Sequence, residues 1–335
     1  MNPVRIHIGV DVGKDSLDIC CPDGTRGKTR NIKPCRTKLI KRALKIGAVT
    51  SFEATGPYEE PPAEGCLARG VGAVRLDAWG TRKYAESQGR IEKTDAIDCE
   101  MIRDYAMSLK DEKLHLIKPR PQAHKALKRA VSTRKNLMKA RAIIYSQYEN
   151  LPDAEMRKCL DQTLAKLGKG IARIGGACDA AIASDGRMSE PASRFQTVKG
   201  VGPCLTRIVP ACCPDIGEFS DGGIAKMCGN APIDYESCTI KKKARPKRGR
   251  TDLRKAMYMA AVSASRSNHV LRPIYRRLVA KGKPRKVALT AIARRIAILL
   301  NNIAKHPDFI PAQDPKSVAH AALPKRGRGR PRKTA

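Results

Sequence analysis

Four carboxylates carry the chemistry that this sequence can be read to perform. Asp11 lies inside Arg5 to Ile19, RIHIGVDVGKDSLDI, where Ile6, Ile8, Val10 and Val12 alternate with His7, Gly9 and Asp11. That period of two is the pattern of a β-strand. A charge inside an otherwise apolar strand is costly unless it is paired or holds a metal ion. Glu53 ends the apolar run Ala48 to Phe52, and Asp95 and Asp98 lie in KTDAIDCEMIRDYA. Spacing of i, i+3 puts these last two on one helical face, one turn apart, with Thr94 as N-cap and the helix running to about Met107. Four carboxylates gathered in one pocket cannot all stay ionised without cations, and their oxygens suit magnesium or manganese. As separate caps or surface charges the same four acids would do no chemistry, and the motifs alone leave both readings open.

The elements that must position these acids follow from the chain around them. Strands are expected over 4–12 and 16–21, then a turn at Pro22-Asp23-Gly24-Thr25 and a poorer third strand near 26–32. Lys38 to Ile46 reads as a helix and Ala48 to Glu53 as the next strand. Thr55-Gly56-Pro57 breaks the chain, Pro61 and Pro62 suit a helix start leading to Gly70, and Val71 to Leu76 is a fifth strand. Three antiparallel strands followed by helix–strand–helix–strand is the order of an α/β, RNase H-like (RuvC-like) fold, whose central strand carries the first acid of a metal site.

Charge sets the class of partner. Among 335 residues, 66 Lys and Arg oppose 32 Asp and Glu, a formal net charge of +34 and a pI near 10.1. A chain this basic is expected to bind a polyanion, and nucleic acid is the default. No basic amphipathic helix beside an anchor points to a membrane, and no apolar run approaches spanning length. The twelve cysteines are scattered, with no Cys-x-x-Cys pair and no histidine at zinc-finger spacing, so reduced thiols in a cytoplasmic protein are expected. The N-terminus reads directly as a strand rather than a signal peptide.

Several segments answer to that charge. From Lys113 to Tyr148 there is no acid, while Lys125, Lys128, Arg129, Arg134 and Lys135 are among ten cations. Leu127, Val131, Leu137 and Ile144 form a loose helical stripe along it. Either this is a basic helix against a phosphate backbone, or it is the solvated face of a helical hairpin returning over 153–184; like charges without a partner would repel, which favours the first. Gly200-Val201-Gly202, between apolar segments, resembles a helix–hairpin–helix turn whose backbone N–H groups can hold a phosphate. Lys241, Lys242, Lys243 and Arg245 open a run with seven basic residues in ten, Lys241 to Arg250. Helices are expected over Leu253 to Ser263 and Arg285 to Lys305, the second with a core-facing stripe. Beyond Pro307 the composition is that of a disordered tail. There, Arg328 and Arg330 in PKRGRGRPRKTA have the look of an AT-hook for narrow minor grooves; the competing reading is a merely basic tail.

At this point the chain resembles the DEDD-type insertion-sequence transposases, which include pilin-gene inversion recombinases and bridge-RNA-guided recombinases. The resemblance is carried by GVDVGK, FEATGPY and KTDAIDCEMI around the four acids, and by TVKGVG, GNAPIDYES and RTDLRKAMYMA further on. It implies a RuvC-like magnesium site of Asp11, Glu53, Asp95 and Asp98, and a serine nucleophile toward DNA that maps to Ser237. Cys238 follows that serine where glycine is usual, and Pro246 stands where a Ser-Lys-x-Gly turn often begins. The implied organisation is a metal-binding domain over 1–110, a basic helical or coiled-coil segment over 111–190, a mostly α-helical transposase domain over 191–306, and a basic tail over 307–335. The implied partners are double-stranded DNA, a structured guide RNA, and further copies of the chain in a dimer or tetramer.

Residue chemistry is compatible with that reading. No histidine lies within thirty residues of Ser237, and a serine hydroxyl is a poor nucleophile unless a base or metal activates it. Three other readings remain: a junction nuclease using metal-activated water and ignoring Ser237, a non-catalytic nucleic-acid scaffold, and an actin-like kinase whose Gly-x-Asp-x-Gly turn meets ATP. The last lacks a second phosphate-binding repeat and has no need of so large a positive charge.

Overall fold

The alternating stretch around Asp11 forms β1, His7–Val12, the centre of a five-stranded sheet. In this computed structural model the described residues are 6–54, 56–90, 95–237, 240–246 and 249–311; for 57, 95–97, 233–237 and 240–246 the description covers the backbone alone. The chain divides into two compact units, Met1–Arg120 and Pro121–Ala335.

In the first unit the elements run β1, β2 (Ser16–Cys20), β3 (Arg26–Arg30), α1 (Lys33–Ile46), β4 (Val49–Glu53), α2 (Glu60–Leu67), β5 (Ala73–Leu76), α3 (Ala78–Ser87) and α4 (Asp95–Ser108). The sheet order is β3-β2-β1-β4-β5. β1–β2 and β2–β3 are antiparallel, whereas β1–β4 and β4–β5 are parallel. The mixed α/β character and the succession of strands and helices along the chain from β1 to β5 agree with the expectation from sequence. The period of two sorts the side chains onto two layers. Ile8, Val10, Val12 and Phe52 pack with Leu39, Ile40 and Ala43 of α1 and with Ala63 and Cys66 of α2. On the opposite face, Val74 and Leu76 pack with Ile102 and Ala106 of α4.

Differences from the expected boundaries have local causes. α1 begins at Lys33 because Pro34 falls in its first turn, where a missing N–H costs nothing. β3 is a regular strand despite lacking apolar residues, because it is an edge paired only with β2. α3 had no apolar signal, yet Asp77 caps it by accepting from the Gly80 N–H at 3.1 Å. Thr94, the expected cap of α4, lies outside the described residues.

The second unit contains α5 (Gln122–Glu149), α6 (Ala154–Ala183), α7 (Gly186–Phe195), α8 (Pro203–Cys212), α9 (Asp221–Met227), β6 (Pro232–Ser237), β7 (Ile240–Pro246), α10 (Thr251–Ser267), α11 (Leu271–Ala280) and α12 (Arg285–Lys305). It is mostly helical, as expected, but β6 and β7 form an antiparallel hairpin where the sequence suggested only a charged run. Phe195, Val209, Ile224, Leu253, Met257, Ile292, Ile296 and Leu300 form its main core. A smaller cluster of Leu127, Cys178, Ile182, Met188 and Ala211 ties α5 and α6 to α7 and α8.

α12 corrects one detail, because its length and apolar content would suffice to cross a membrane. Its face of Ala288, Ile292, Ile296 and Leu300 is instead the wholly buried centre of this core. Arg194 on α7 holds the C-terminal end of α12 by donating to the carbonyls of Ile303 at 2.7 Å, His306 at 3.0 Å and Phe309 at 2.8 Å.

Candidate acidic metal site and hairpin serine

Backbone register brings the first two acids together. Val10 on β1 is the parallel partner of Phe52 on β4, and both are fully buried against the α1–α2 layer. Continuing that register sets Asp11 beside Glu53 at the C-terminal ends of adjacent strands, and alternation turns both toward the opposite face. Both are half-buried.

α4 lies against that same face. Gly9, two residues before Asp11, has no side chain because the helix lies against it. A Cβ there would fall 2.1 Å from the Cys99 carbonyl oxygen and 2.6 Å from the Arg103 nitrogen. Asp98 immediately precedes Cys99 and is half-buried. Asp95 lies one turn earlier on the same helix, and its side chain is outside the described residues. Among the described residues, no three His, Cys, Asp or Glu side chains are already gathered around one point. What the fold provides is two adjacent strand ends and the start of a helix on one face, each carrying a carboxylate, the donor type that suits a hard divalent cation.

The surrounding charges include residues that sequence reading missed. Asp18 on β2 is the antiparallel partner of Asp11. It is buried and forms an ion pair with Lys28 at 3.2 Å. Glu100 accepts from Arg26 at 2.6 Å and from Arg90 at 3.0 Å, with Arg103 at 3.8 Å. Arg103 also donates to Cys20 Sγ and to the Cys21 carbonyl, both at 3.0 Å. Burial pushes the Cys99 thiol up to about 12, with Cys20, Asp18 and Asp11 adding to that effect and Arg26 opposing it. The influence of both Asp11 and Asp18 on Cys99 fits their shared orientation toward α4. Buried His7, on the same strand, is hydrogen-bonded through Nδ1 to Ser51 Oγ at 2.9 Å. Asp18 had one signal in the sequence: it falls in the alternation of SLDIC, opposite GVDV in any tight antiparallel pairing.

In the second unit Ser237 is the last residue of β6 and the register partner of Ile240. Only Cys238 and Thr239, outside the described residues, separate the strands, so the serine sits at the tip of the hairpin. Lys241 lies opposite Glu236 and Lys242 opposite Tyr235, while Arg245 lies opposite Ile233; with Lys243 they belong to β7. The base of the hairpin is closed by glycine. Gly249 has φ of +75°, and a Cβ there would sit 2.3 Å from the Gly229 nitrogen. The Arg250 N–H donates to the Met227 carbonyl at 3.0 Å, fixing the return strand to the end of α9.

The other predicted nucleic-acid contacts separate by environment. Lys128 and Arg129 on α5 are exposed, and Lys125, Arg134 and Lys135 are half-buried. Lys135 forms an ion pair with Asp252 of α10 at 2.6 Å. Gly202 caps α8. Gly200 has φ of +105°, and its added Cβ would meet the Ala264 Cβ at 2.6 Å, so helix packing alone accounts for a glycine there. Arg328 and Arg330 lie outside the described residues.

Comparison with known families meets both units. Residues 192–276 match the model described as Transposase IS116/IS110/IS902 family. Residues 8–152 match the DEDD-type IS110 model, described as Transposase. Asp11, Glu53, Asp95 and Asp98 fall within the second match and Ser237 within the first. No curated protein matches the chain. A DEDD-type transposase family carries with it divalent-metal dependence and DNA as the partner. Since the sheet with its acids and the helical unit with its hairpin each answer to the same kind of enzyme, the chain belongs to the IS110-type DEDD transposases, which cut and rejoin DNA.

Proposed function

We propose that the first unit is an RNase H-like, RuvC-like metal site and that Ser237 is the nucleophile of a DNA recombinase. The observation that carries the reading is the juxtaposition of Asp11 and Glu53 on parallel neighbours, with α4 seated on Gly9 of the same strand. Asp11, Glu53, Asp95 and Asp98 would hold Mg2+ or Mn2+. Such an ion neutralises phosphodiester charge and supports the attacking and leaving oxygens.

The residues of the chain do the rest. Lys241, Lys242, Lys243 and Arg245 on β7 hold the DNA backbone beside the hairpin tip. Ser237 Oγ attacks phosphorus and forms a new P–O bond, the bond to the 3′ or 5′ oxygen breaks, and the hydroxyl proton passes through solvent to that departing oxygen. The resulting phosphoester keeps the bond energy for rejoining, whereas attack by water would release it. Lys125, Lys128, Arg129, Arg134 and Lys135 on α5, with Gly200 and Gly202, serve nucleic-acid binding, including that of a structured guide RNA. Arg328 and Arg330 of the tail read narrow A·T-rich minor grooves. The active form is a dimer or tetramer.

The test separates the two roles. Asp11→Asn should abolish strand exchange while far-ultraviolet circular dichroism stays unchanged. A stalled reaction, denatured and run on a gel, should show a protein–DNA adduct that Ser237→Ala lacks. Normal recombination by Asp11→Asn in magnesium would overturn the metal site. An adduct that persists in Ser237→Ala would move the nucleophile elsewhere, with Cys238 next in line.

A further inference from the structure

β3 has the wrong composition for a strand that stabilises a core. Its sequence, RGKTR, contains three cations at alternate positions, Arg26, Lys28 and Arg30. Edge strands carry such charges to block pairing with other chains, and that role would not require them to share a face with an active site. They do share one. Arg26 bonds Glu100 of α4, and Lys28 bonds Asp18, the cross-strand partner of Asp11. Arg30 is the register partner of Ser16, two residues before Asp18 on the same side of β2. All three side chains therefore rise from the face that carries Asp11, Glu53 and α4.

We propose that β3 is a binding track for one strand of substrate DNA, laid along the edge of the sheet toward the acids. Alternate residues of a strand are about 6.8 Å apart, close to the distance between successive phosphates along one nucleic-acid strand. Arg26, Lys28 and Arg30 thus present cations in step with a phosphate backbone. Two of them are already oriented by buried or half-buried acids, which lowers the ordering cost on binding. Their side chains stay open to solvent nonetheless, 46% for Arg26 and 58% for Lys28. A guanidinium has five donors and an ammonium three, so an inner carboxylate and an outer phosphate can be held together. Arg90, 40% exposed and bonded to the same Glu100, extends the track beside α4. The inference builds on DNA as the substrate and not on the Ser237 chemistry, since its readout is an equilibrium without turnover.

The experiment measures binding of the full chain to a short fluorescein-labelled DNA duplex of mixed sequence across a salt series. Each lost phosphate contact lowers the slope of log K against log salt by about 0.9, which is about eightfold in affinity near 0.1 M salt. Arg30→Gln should show that loss, and Arg26→Gln/Lys28→Gln/Arg30→Gln a loss approaching three contacts. Lys41→Gln, exposed on α1 behind the sheet, should show none. Arg30 has no ion pair among the described residues, so its variant keeps the test valid if the triple variant fails to fold. An unchanged slope in Arg30→Gln would overturn the proposal, as would an equal loss in Lys41→Gln, which signals only a diffuse field. Self-association of the triple variant with intact DNA binding would return β3 to edge protection. Loss confined to a matched RNA would assign the track to another ligand and refute it too.

Discussion

Replacing Gly9 by alanine tests the geometry on which the acid site depends. The added methyl would lie 2.1 Å from the Cys99 carbonyl oxygen, 2.6 Å from the Arg103 nitrogen and 2.9 Å from the Arg103 Cβ. Real contacts of this kind do not fall below 3.0 Å, so α4 or β1 must retreat by about 1 Å. The first two obstacles are helix backbone, so no side-chain rotation relieves them. Overpacking of this sort costs about 1–3 kcal/mol, and a denaturant titration of the full chain would read it as a lower midpoint. Activity should suffer more than stability. The retreat moves Asp98 away from Asp11, and a displacement of about 1 Å near reacting groups costs on the order of a hundredfold in rate. A strand-exchange assay beside the titration separates the two effects. Wild-type stability and wild-type exchange in Gly9→Ala would refute the close seating of α4 and, with it, the convergence of the acids.

The hairpin has an equivalent dependence. Gly249→Ala adds a methyl 2.3 Å from the Gly229 nitrogen at a φ that L-residues rarely adopt, and should cut formation of the Ser237–DNA adduct at least tenfold while the helical content by circular dichroism stays within error. Thiol labelling at pH 8 should modify exposed Cys159 and Cys204 and spare Cys228, which burial pushes up to about 12; on the order of one Cys228 in ten thousand is then thiolate. Because that pKa is raised from 9.0, the thiol's contribution to stability is complete below pH 9 and lost as pH climbs toward 12. Mass spectrometry of the labelled protein would decide, and rapid labelling of Cys228 in native buffer would contradict its burial.

What the sequence disclosed depended on whether a residue's role is local. Asp11 could be read because the apolar residues flanking it repeat with the period of a strand, and Asp95 with Asp98 because i, i+3 is a fixed property of a helix. α1, β4 and β5 followed from the same local periods. β3 was faint, since an edge strand needs no apolar face and leaves only its partner β2 to define it. The hairpin was missed because IKKKARP has no alternation of apolar and polar residues; its register is written in the pairing with PIDYES and in the Gly229–Gly249 contact, both non-local. Asp18 and Glu100 were missed for the same reason. Their importance comes from what lies opposite them, Asp11 and Lys28 in one case and three arginines in the other, and those pairings are fixed only by strand register and by the seating of α4. Lys135 shows the converse: in sequence it belongs to an acid-free stretch, yet folding sets Asp252 against it.

Like charges explain why the acid face is built as it is. Asp11 and Asp18 are direct cross-strand partners, an arrangement that destabilises a sheet when both are ionised. The fold sets a cation beside this pair. Lys28, from the next strand out, neutralises Asp18 at 3.2 Å, and Arg26 and Arg90 do the same for Glu100 on the helix. The outer acids are thus satisfied by side chains of the protein. Asp11, Glu53 and Asp98 are half-buried, at strand ends and on the first turn of α4, and carboxylates gathered on one face favour positive charge there. In the proposed metal site a divalent ion would answer that demand and leave coordination positions for a phosphodiester. The ion pairs of Asp18 and Glu100 thus fix the frame against which Asp11, Glu53 and Asp98 are set.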